Sequence, residues 1–218
     1  MVLIEHGFAE AHRRQAAQLY WEAFSRKLEP ALGPAERGIG LLERTLVCER
    51  ALVAVDGGEL LGLAGFQLDG SSLVGLRARD LWREFGLFRG SWRSLLLALL
   101  HRKPRAGELL MDGIVVQRDR RGHGIGTSLL NAVIALARER GLERVRLDVV
   151  DTNPAARRLY ERIGFVAART EHTPYLRRLF GFGASTEMVL IVSGSRKESA
   201  EERATSAPEN RDGRRDGD

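Results

Sequence analysis

The sequence predicts an α/β domain built around one mixed sheet of about seven strands. Three observations carry that expectation. A near-continuous apolar run, Leu109 to Val116, is what a central strand buried on both faces requires. A glycine-rich turn and an amphipathic helical pattern come directly after it, as in a strand–turn–helix unit. Upstream, two apolar runs flank Asp56-Gly57-Gly58-Glu59, the composition of a tight hairpin.

Taken in order, Val2 to Phe8 reads as a short first strand. Ala9 to Leu28 has helical spacing in Ala16, Leu19, Tyr20, Ala23 and Phe24, and Pro30 is expected to end it. Ala35 to Leu46 predicts a second helix, weakened by Gly38 and Gly40. Leu52 to Val55 and Leu60 to Phe66 are the hairpin strands. Helical patterns come next around Leu76–Phe88 and Trp92–Leu100, closed by Pro104 and Gly107. Gly113 inside the 109–116 strand signals a bulge or the close approach of another backbone. The next helix runs to Arg140 with Leu129, Leu130, Val133, Ile134 and Ala137 on one face, and Gly141 stops it. Val145 to Val149 alternates with Arg146 and Asp148, a half-buried strand. Asn153-Pro154 opens a helix to about Ile163, with Asn153 as N-cap. Gly164–Ala168 and Glu187–Val192 are the last strands, joined by an aromatic and basic loop, Pro174 to Phe182. From Ser193 the chain is charged and almost free of large apolar side chains. Residues 194–218 are therefore expected to be a disordered tail on a folded domain of residues 1–193.

Composition narrows the class. One cysteine, Cys48, excludes an internal disulfide framework and fits a reducing, cytoplasmic setting; it reads as a buried strand residue. The N-terminus lacks the pattern of a secretory leader, and the longest strongly apolar stretch, Leu95 to Leu100, is too short to span a bilayer. The formal charge is +5, but it is not spread evenly. Between Val74 and Arg105, eight basic residues face two acidic ones, a local charge of +6 that leaves the rest at −1. This cationic segment also carries Trp82, Phe85, Leu87, Phe88 and Trp92. It reads as a packed helical pair, as a lid over a binding pocket, or as a membrane-surface or nucleic-acid patch.

The glycine turn is Arg121-Gly122-His123-Gly124-Ile125-Gly126, then Thr127. Alternate glycines strip a turn of side chains, so its N–H groups and the positive end of the next helix can face one phosphate or pyrophosphate. A P-loop would need a lysine after the last glycine, and a dinucleotide turn would need a different glycine spacing early in a βαβ unit. Neither fits. Arg121, Gly124 and Gly126 instead satisfy Arg/Gln-x-x-Gly-x-Gly/Ala. About thirty residues on, Asn153-Pro154-Ala155-Ala156-Arg157-Arg158-Leu159-Tyr160-Glu161-Arg162-Ile163-Gly164-Phe165 matches Asn-x-x-Ala-x-x-Leu-Tyr-x-x-x-Gly-Phe. With both motifs in this order, the chain resembles the GNAT family of N-acetyltransferases, over roughly Met1 to Val192 apart from the cationic insertion.

The resemblance implies a sheet whose fourth and fifth strands splay apart, leaving backbone groups of Ile114, Val115 and Val116 for the pantetheine arm of acetyl-CoA. It places the pyrophosphate on Arg121 to Thr127 and brings Asn153 to the cofactor arm. His123 occupies a position in that turn that the family leaves variable, and reads as solvent-facing. Tyr160 is implied as general acid toward the leaving thiolate. Asp112 is a candidate general base, because burial would raise its pKa; the alternative is a structural carboxylate bound to loop backbone. The implied partners are acyl-CoA and an unidentified primary amine, reacting directly in a ternary complex without a metal. His6, His12, His101 and His172 lack ligand spacing. A homodimer is left open, and nucleic acid is not the expected partner. The competing readings are an acyl-CoA-binding module without turnover and a nucleic-acid-binding protein acting through the basic insertion.

Overall fold

A computed structural model of the chain describes residues 1–192, so the tail expected at 194–218 lies outside the described residues. The elements are β1 (Leu3–His6), α1 (Arg13–Leu32), α2 (Ala35–Thr45), β2 (Ala51–Asp56), β3 (Glu59–Gln67), α3 (Ala78–Phe85), α4 (Leu87–Leu100), β4 (Glu108–Val116), α5 (Ile125–Glu139), β5 (Arg144–Val150), α6 (Pro154–Ile163), β6 (Val166–His172), α7 (Arg177–Phe180) and β7 (Ala184–Ile191). The seven strands form one sheet in the order β1-β2-β3-β4-β5-β7-β6. All neighbours are antiparallel except β4 and β5, which are parallel.

Alternation along the strands feeds two cores. Val53, Val55, Leu63 and Val115 pack under α1 and α2 on one face. Leu52, Ala54, Leu61 and Ala64 pack on the other, against Leu129, Leu130, Val133 and Ile134 of α5. The parallel junction is short: Glu108, Leu109 and Leu110 pair with Arg144, Val145 and Arg146, and the pairing stops there. Beyond Leu110 the two strands diverge. Gly113 marks a bulge as expected: Gly65 pairs with Gly113 and Phe66 with Met111, so Asp112 is the extra residue.

Four local expectations are corrected. First, α1 does not end at Pro30 but continues to Leu32. Burial of Leu28, Ala31 and Leu32 against the first core offsets the one hydrogen bond the proline removes. Second, Arg146 belongs to no solvated face of β5. It is buried, because its Nε donates to Glu108 (2.7 Å), its Nη1 to Glu187 (3.2 Å) and its Nη2 to the Lys103 carbonyl (2.7 Å). Third, Cys48 is no strand residue: it is half-buried in a single helical turn, Cys48–Arg50, and burial pushes its thiol pKa up. Fourth, the 174–182 loop folds into a turn at Pro174–Leu176 and the short α7, and the last strand begins earlier, at Ala184.

The cationic insertion folds as the helical pair α3–α4. It docks through Leu81 and Leu96, which enter the first core. Arg93 ties it to α1. Its guanidinium donates to the terminal carbonyls of Pro30 (3.3 Å) and Ala31 (2.9 Å) and lies 4.1 Å from the centre of the Phe85 ring. It therefore satisfies acceptors that a helix C-terminus leaves open. Arg93→Ala should lower stability by about 1–3 kcal/mol, whereas the exposed Arg83→Ala should stay within about 0.5 kcal/mol. Chemical denaturation of the two variants checks this.

Candidate active site

Where β4 and β5 part, a groove of ≈ 650 Å³ opens. Ile114, Val115 and Val116 form its floor, and the β5-side edge of this stretch has no strand partner among the described residues. Its walls are Glu22, Ala23 and Phe24 of α1 and Ala155, Ala156, Leu159 and Arg162 of α6, with Asn153 at the α6 start. The far end is the glycine turn, with Arg121, Gly122, Gly124, Ile125, Gly126 and Thr127. An unpaired strand edge in an open groove offers its N–H and C=O groups to water or to a ligand that carries amide groups. The groove thus suits an extended ligand with peptide-like groups at one end and phosphates at the other.

The turn has the geometry an anion needs. Gly124 is the residue before α5 and has φ +80°, a left-handed conformation that disfavours side chains. No side chain caps α5, so its first N–H groups are open toward the groove. A Cβ on Gly122 or Gly124 would meet nothing within 4 Å; it would project into open space above the turn. Arg121 folds back, its Nε donating to the Val116 carbonyl at 3.1 Å. Arg118, Arg120 and Arg162 also line the groove against a single acidic residue, Glu22. His123 is exposed, with Nδ1 3.0 Å from the Arg121 carbonyl, and is not part of the groove wall. Asn153 caps α6 as expected: its Oδ1 accepts from the Ala156 N–H at 3.1 Å, which leaves its side-chain NH2 for a ligand.

A second pocket, ≈ 200 Å³, lies at the other end of the β4 bulge. Tyr20 and Lys27 of α1, Gln67, His101, Arg102, Asp112 and Asp148 supply its polar lining, and Leu97 of α4 closes one side. Between the two cavities stands Phe24. Its ring lies 4.6 Å from that of Tyr20, and a Cβ at Gly113 would collide with it. Only glycine lets that ring sit on the strand.

Asp112 is bound to loop backbone, the structural alternative considered for it, and its carboxylate also borders the pocket. Its Oδ1 accepts from Gln67 Nε2 (2.5 Å) and its Oδ2 from the Leu73 backbone N–H (2.9 Å), so it is a structural anchor of the 68–73 loop. It also faces the pocket, and burial pushes its pKa up against the opposing pull of Gln67, Leu73, Lys27 and His101. Burial lowers the pKa of Lys27, partly countered by Asp148 and Asp112. Tyr160 is buried in the second core beside Phe165 (ring centres 6.0 Å apart), and burial pushes its phenol up to about 12. Its neighbour Leu159 and Ala156, one turn earlier, reach the groove wall; Tyr160 itself is not among the lining residues. The sequence reading missed Phe24, Lys27, Tyr20 and Asp148. The only signals were the helical spacing of α1 and one acidic residue in β5.

Among the described residues, no group of three or more His, Cys, Asp or Glu is placed to hold a metal ion, and no helix is long and apolar enough to cross a membrane.

A strand pair that opens over an uncapped, glycine-led helix defines an acetyltransferase-type fold. The family model described as "Acetyltransferase (GNAT) family" matches residues 13–165, and the chain belongs to that family. It is 46% identical over 69 residues to "Probable N-acetyltransferase camello" of Xenopus tropicalis, covering 32% of each chain. It is 44% identical over 75 residues to "Mycothiol acetyltransferase" of Salinispora arenicola, covering 34% of this chain and 24% of that one. The chain thus spans only about a quarter to a third of these relatives' length. Among solved structures, an acetyltransferase matches with TM-score 0.58 at 23% identity, over 88% of this chain and all of that one. An N-acetyltransferase from Staphylococcus aureus matches with TM-score 0.58 at 16% identity, over 88% and 99%. At these identities the structures attest the fold.

Gly124→Val forces a β-branched residue into a left-handed turn above the helix terminus. The variant should fold yet lose at least tenfold in CoA affinity by calorimetry; unchanged affinity removes the turn from the site.

Proposed function

We infer that the protein is an acyl-CoA-dependent N-acyltransferase that moves acetyl from acetyl-CoA to a primary amine, by direct attack in a ternary complex. Its domain is residues 1–193 with α3–α4 inserted, and its single cysteine suits the cytoplasm. The observation that carries this reading is the divergence of β4 and β5 directly above the glycine turn. Acetyl-CoA supplies an activated thioester and a thiolate leaving group. Ile114 to Val116 receive the amides of its arm, Asn153 adds a side-chain donor, and Arg121 to Thr127, with His123 at the outer rim, seat its pyrophosphate. The bulge at Asp112 and Gly113 sets the reacting carbonyl beside Phe24, at the boundary with the second pocket, which receives the amine.

The amine must lose a proton to attack. Asp112 is the acceptor this reading assigns, with Lys27 tuning it. The leaving group is a thiolate, whose conjugate acid has a pKa of about 8.5 in water, and Tyr160 lies behind the Ala156 and Leu159 wall of the groove that would hold it. This reading assigns Tyr160 as the general acid toward that thiolate; burial pushes its phenol pKa up, so the proton stays on the phenol until the thiolate develops. The burial of Tyr160 outside the groove wall favours a second reading, in which acyl-CoA is held without turnover.

CoA release with a panel of amines tests the first reading. Turnover should appear with at least one amine, and Tyr160→Phe should lower kcat by roughly 10- to 100-fold with CoA affinity unchanged. Binding without turnover across the panel establishes the second. A further test concerns pH. The positive charge of Lys27 holds the Asp112 carboxyl down, so its removal raises that pKa further. Asp112 must be ionised to accept a proton. Lys27→Met should therefore move the acid limb of kcat/KM to higher pH, while Lys27→Arg should leave it near its original place. An unmoved limb in Lys27→Met excludes Asp112 as the group that titrates.

A further inference from the structure

Helix α4 is apolar on two sides. Its inner side carries the buried Leu96, which reaches the core. Its outer side carries Phe88, Trp92, Leu95 and Leu99, spaced i, i+4, i+7 and i+11, and so aligned in one stripe. These four are 92%, 61%, 54% and 49% exposed. Leu87 (64%) and Trp82 of α3 (42%) extend the patch. The outward face of a surface helix is ordinarily polar; an apolar stripe there marks a contact surface.

The charge around it is one-sided. Arg83 of α3 and Arg89 of α4 are exposed on the same helical pair. The two acids of the segment are already engaged. Asp80 accepts from the Arg77 backbone N–H at 2.9 Å and pairs with Arg79 (3.9 Å), and Glu84 pairs with Arg44 (2.9 Å) and Arg37 (3.5 Å), both of α2. The patch thus combines exposed aromatic and aliphatic side chains with a rim of uncompensated guanidinium groups.

We propose that the outer face of the α3–α4 pair is a docking surface for an anionic lipid bilayer, on which α4 lies in the plane of the headgroups. Phe88, Trp92, Leu95 and Leu99 enter the boundary between headgroups and acyl chains, and the rim arginines meet the lipid phosphates. A second copy of the chain is the poorer occupant. A two-fold contact sets a patch against itself, which would bring the arginine rim against its own like charge. Nucleic acid is poorer too, because the centre of the patch is apolar and carries no cation, only the indole N–H groups of Trp82 and Trp92, to meet phosphates. The inner side of the same helix supplies Leu97, and its end His101, to the pocket at the β4 bulge. Docking would hold that pocket about one helix diameter, roughly 10 Å, from the headgroups.

Flotation of the full chain with vesicles tests the proposal, using phosphatidylcholine alone or with about one third phosphatidylglycerol. Wild type should bind the anionic vesicles, with a blue shift of tryptophan emission, and bind the neutral ones at least tenfold more weakly. Phe88→Ser with Trp92→Ser, and separately Arg83→Glu with Arg89→Glu, should each cost at least tenfold in vesicle affinity. Their thermal melts should match wild type, since these side chains lie outside the core. Failure of wild type to bind anionic vesicles overturns the proposal, as does an apolar double variant that binds like wild type. Two other outcomes also overturn it. One is a wild-type dimer that the Phe88/Trp92 variant converts to monomer. The other is salt-sensitive binding of duplex DNA or RNA, tighter than vesicle binding, that survives the apolar changes.

Discussion

The buried pair between Glu108 and Arg146 decides the shape of the sheet. Arg146 stands at the last position where β5 pairs with β4, opposite Leu110, and its Nε meets Glu108 at 2.7 Å with side chains only 4% and 0% exposed. The Lys103 carbonyl and Glu187 complete its shell, and Arg105 reinforces Glu187 through two bonds of 3.1 Å. Two charges taken this far out of water are held by each other and by these flanking bonds, the Arg105 backbone N–H to Glu108 among them (3.2 Å), and loss of either charge would cost about 3–5 kcal/mol. One oxygen, Glu108 Oε2, has no partner among the described residues, so even this cluster is not fully satisfied. The consequence is mechanical. β4 and β5 are clamped at one end and released at the other, and the groove is the space that release creates.

The insertion and the clamp are parts of one construction. Arg93 closes the end of α1, Arg102 reaches Asp148 (3.8 Å) and Glu171 (3.3 Å), and Arg105 reaches Glu187. Three of the segment's basic side chains thus stitch α4 and the strand entry to the rest of the domain. Its high charge is therefore heterogeneous: some guanidinium groups are structural, and those on the outer turns face away from the fold.

Features set by local chemistry were legible in the sequence. The glycine turn, the Asn153 cap, the bulge at Gly113 and the hairpin each depend on residues within a few positions of one another. The diverging strands became legible only through the family likeness, since no periodicity distinguishes a paired from an unpaired apolar strand. The features that stayed hidden depend on partners far along the chain. Arg146 alternates like a solvated residue, yet its partner is 38 residues away. Lys27 looks like one more basic residue on a surface helix, although α1 turns it into a pocket with Asp112 and Asp148. Pro30 carries a local stop signal that burial of the last turn overrides. Tyr160 matches its motif, but its distance from the groove wall is a matter of packing that a motif does not encode.

One helix furnishes walls to both cavities. Glu22, Ala23 and Phe24 of α1 face the groove, and Tyr20, Lys27 and Leu28 face the pocket at the bulge. Phe24 shares a helix face with Tyr20, Lys27 and Leu28 and stands at the border, while Glu22 and Ala23 sit on the adjoining faces; each residue added or removed rotates the remainder of the helix by about 100°. Glu22 and Ala23 can be exchanged to retune the groove, and Lys27 and Leu28 to retune the pocket, whereas Phe24 borders both. The length of the helix between Tyr20 and Lys27 cannot change by one residue without putting both cavities out of phase at once. This stretch is thus permissive toward substitution and intolerant of insertion, the opposite of the tolerance expected for the loops that join the strands.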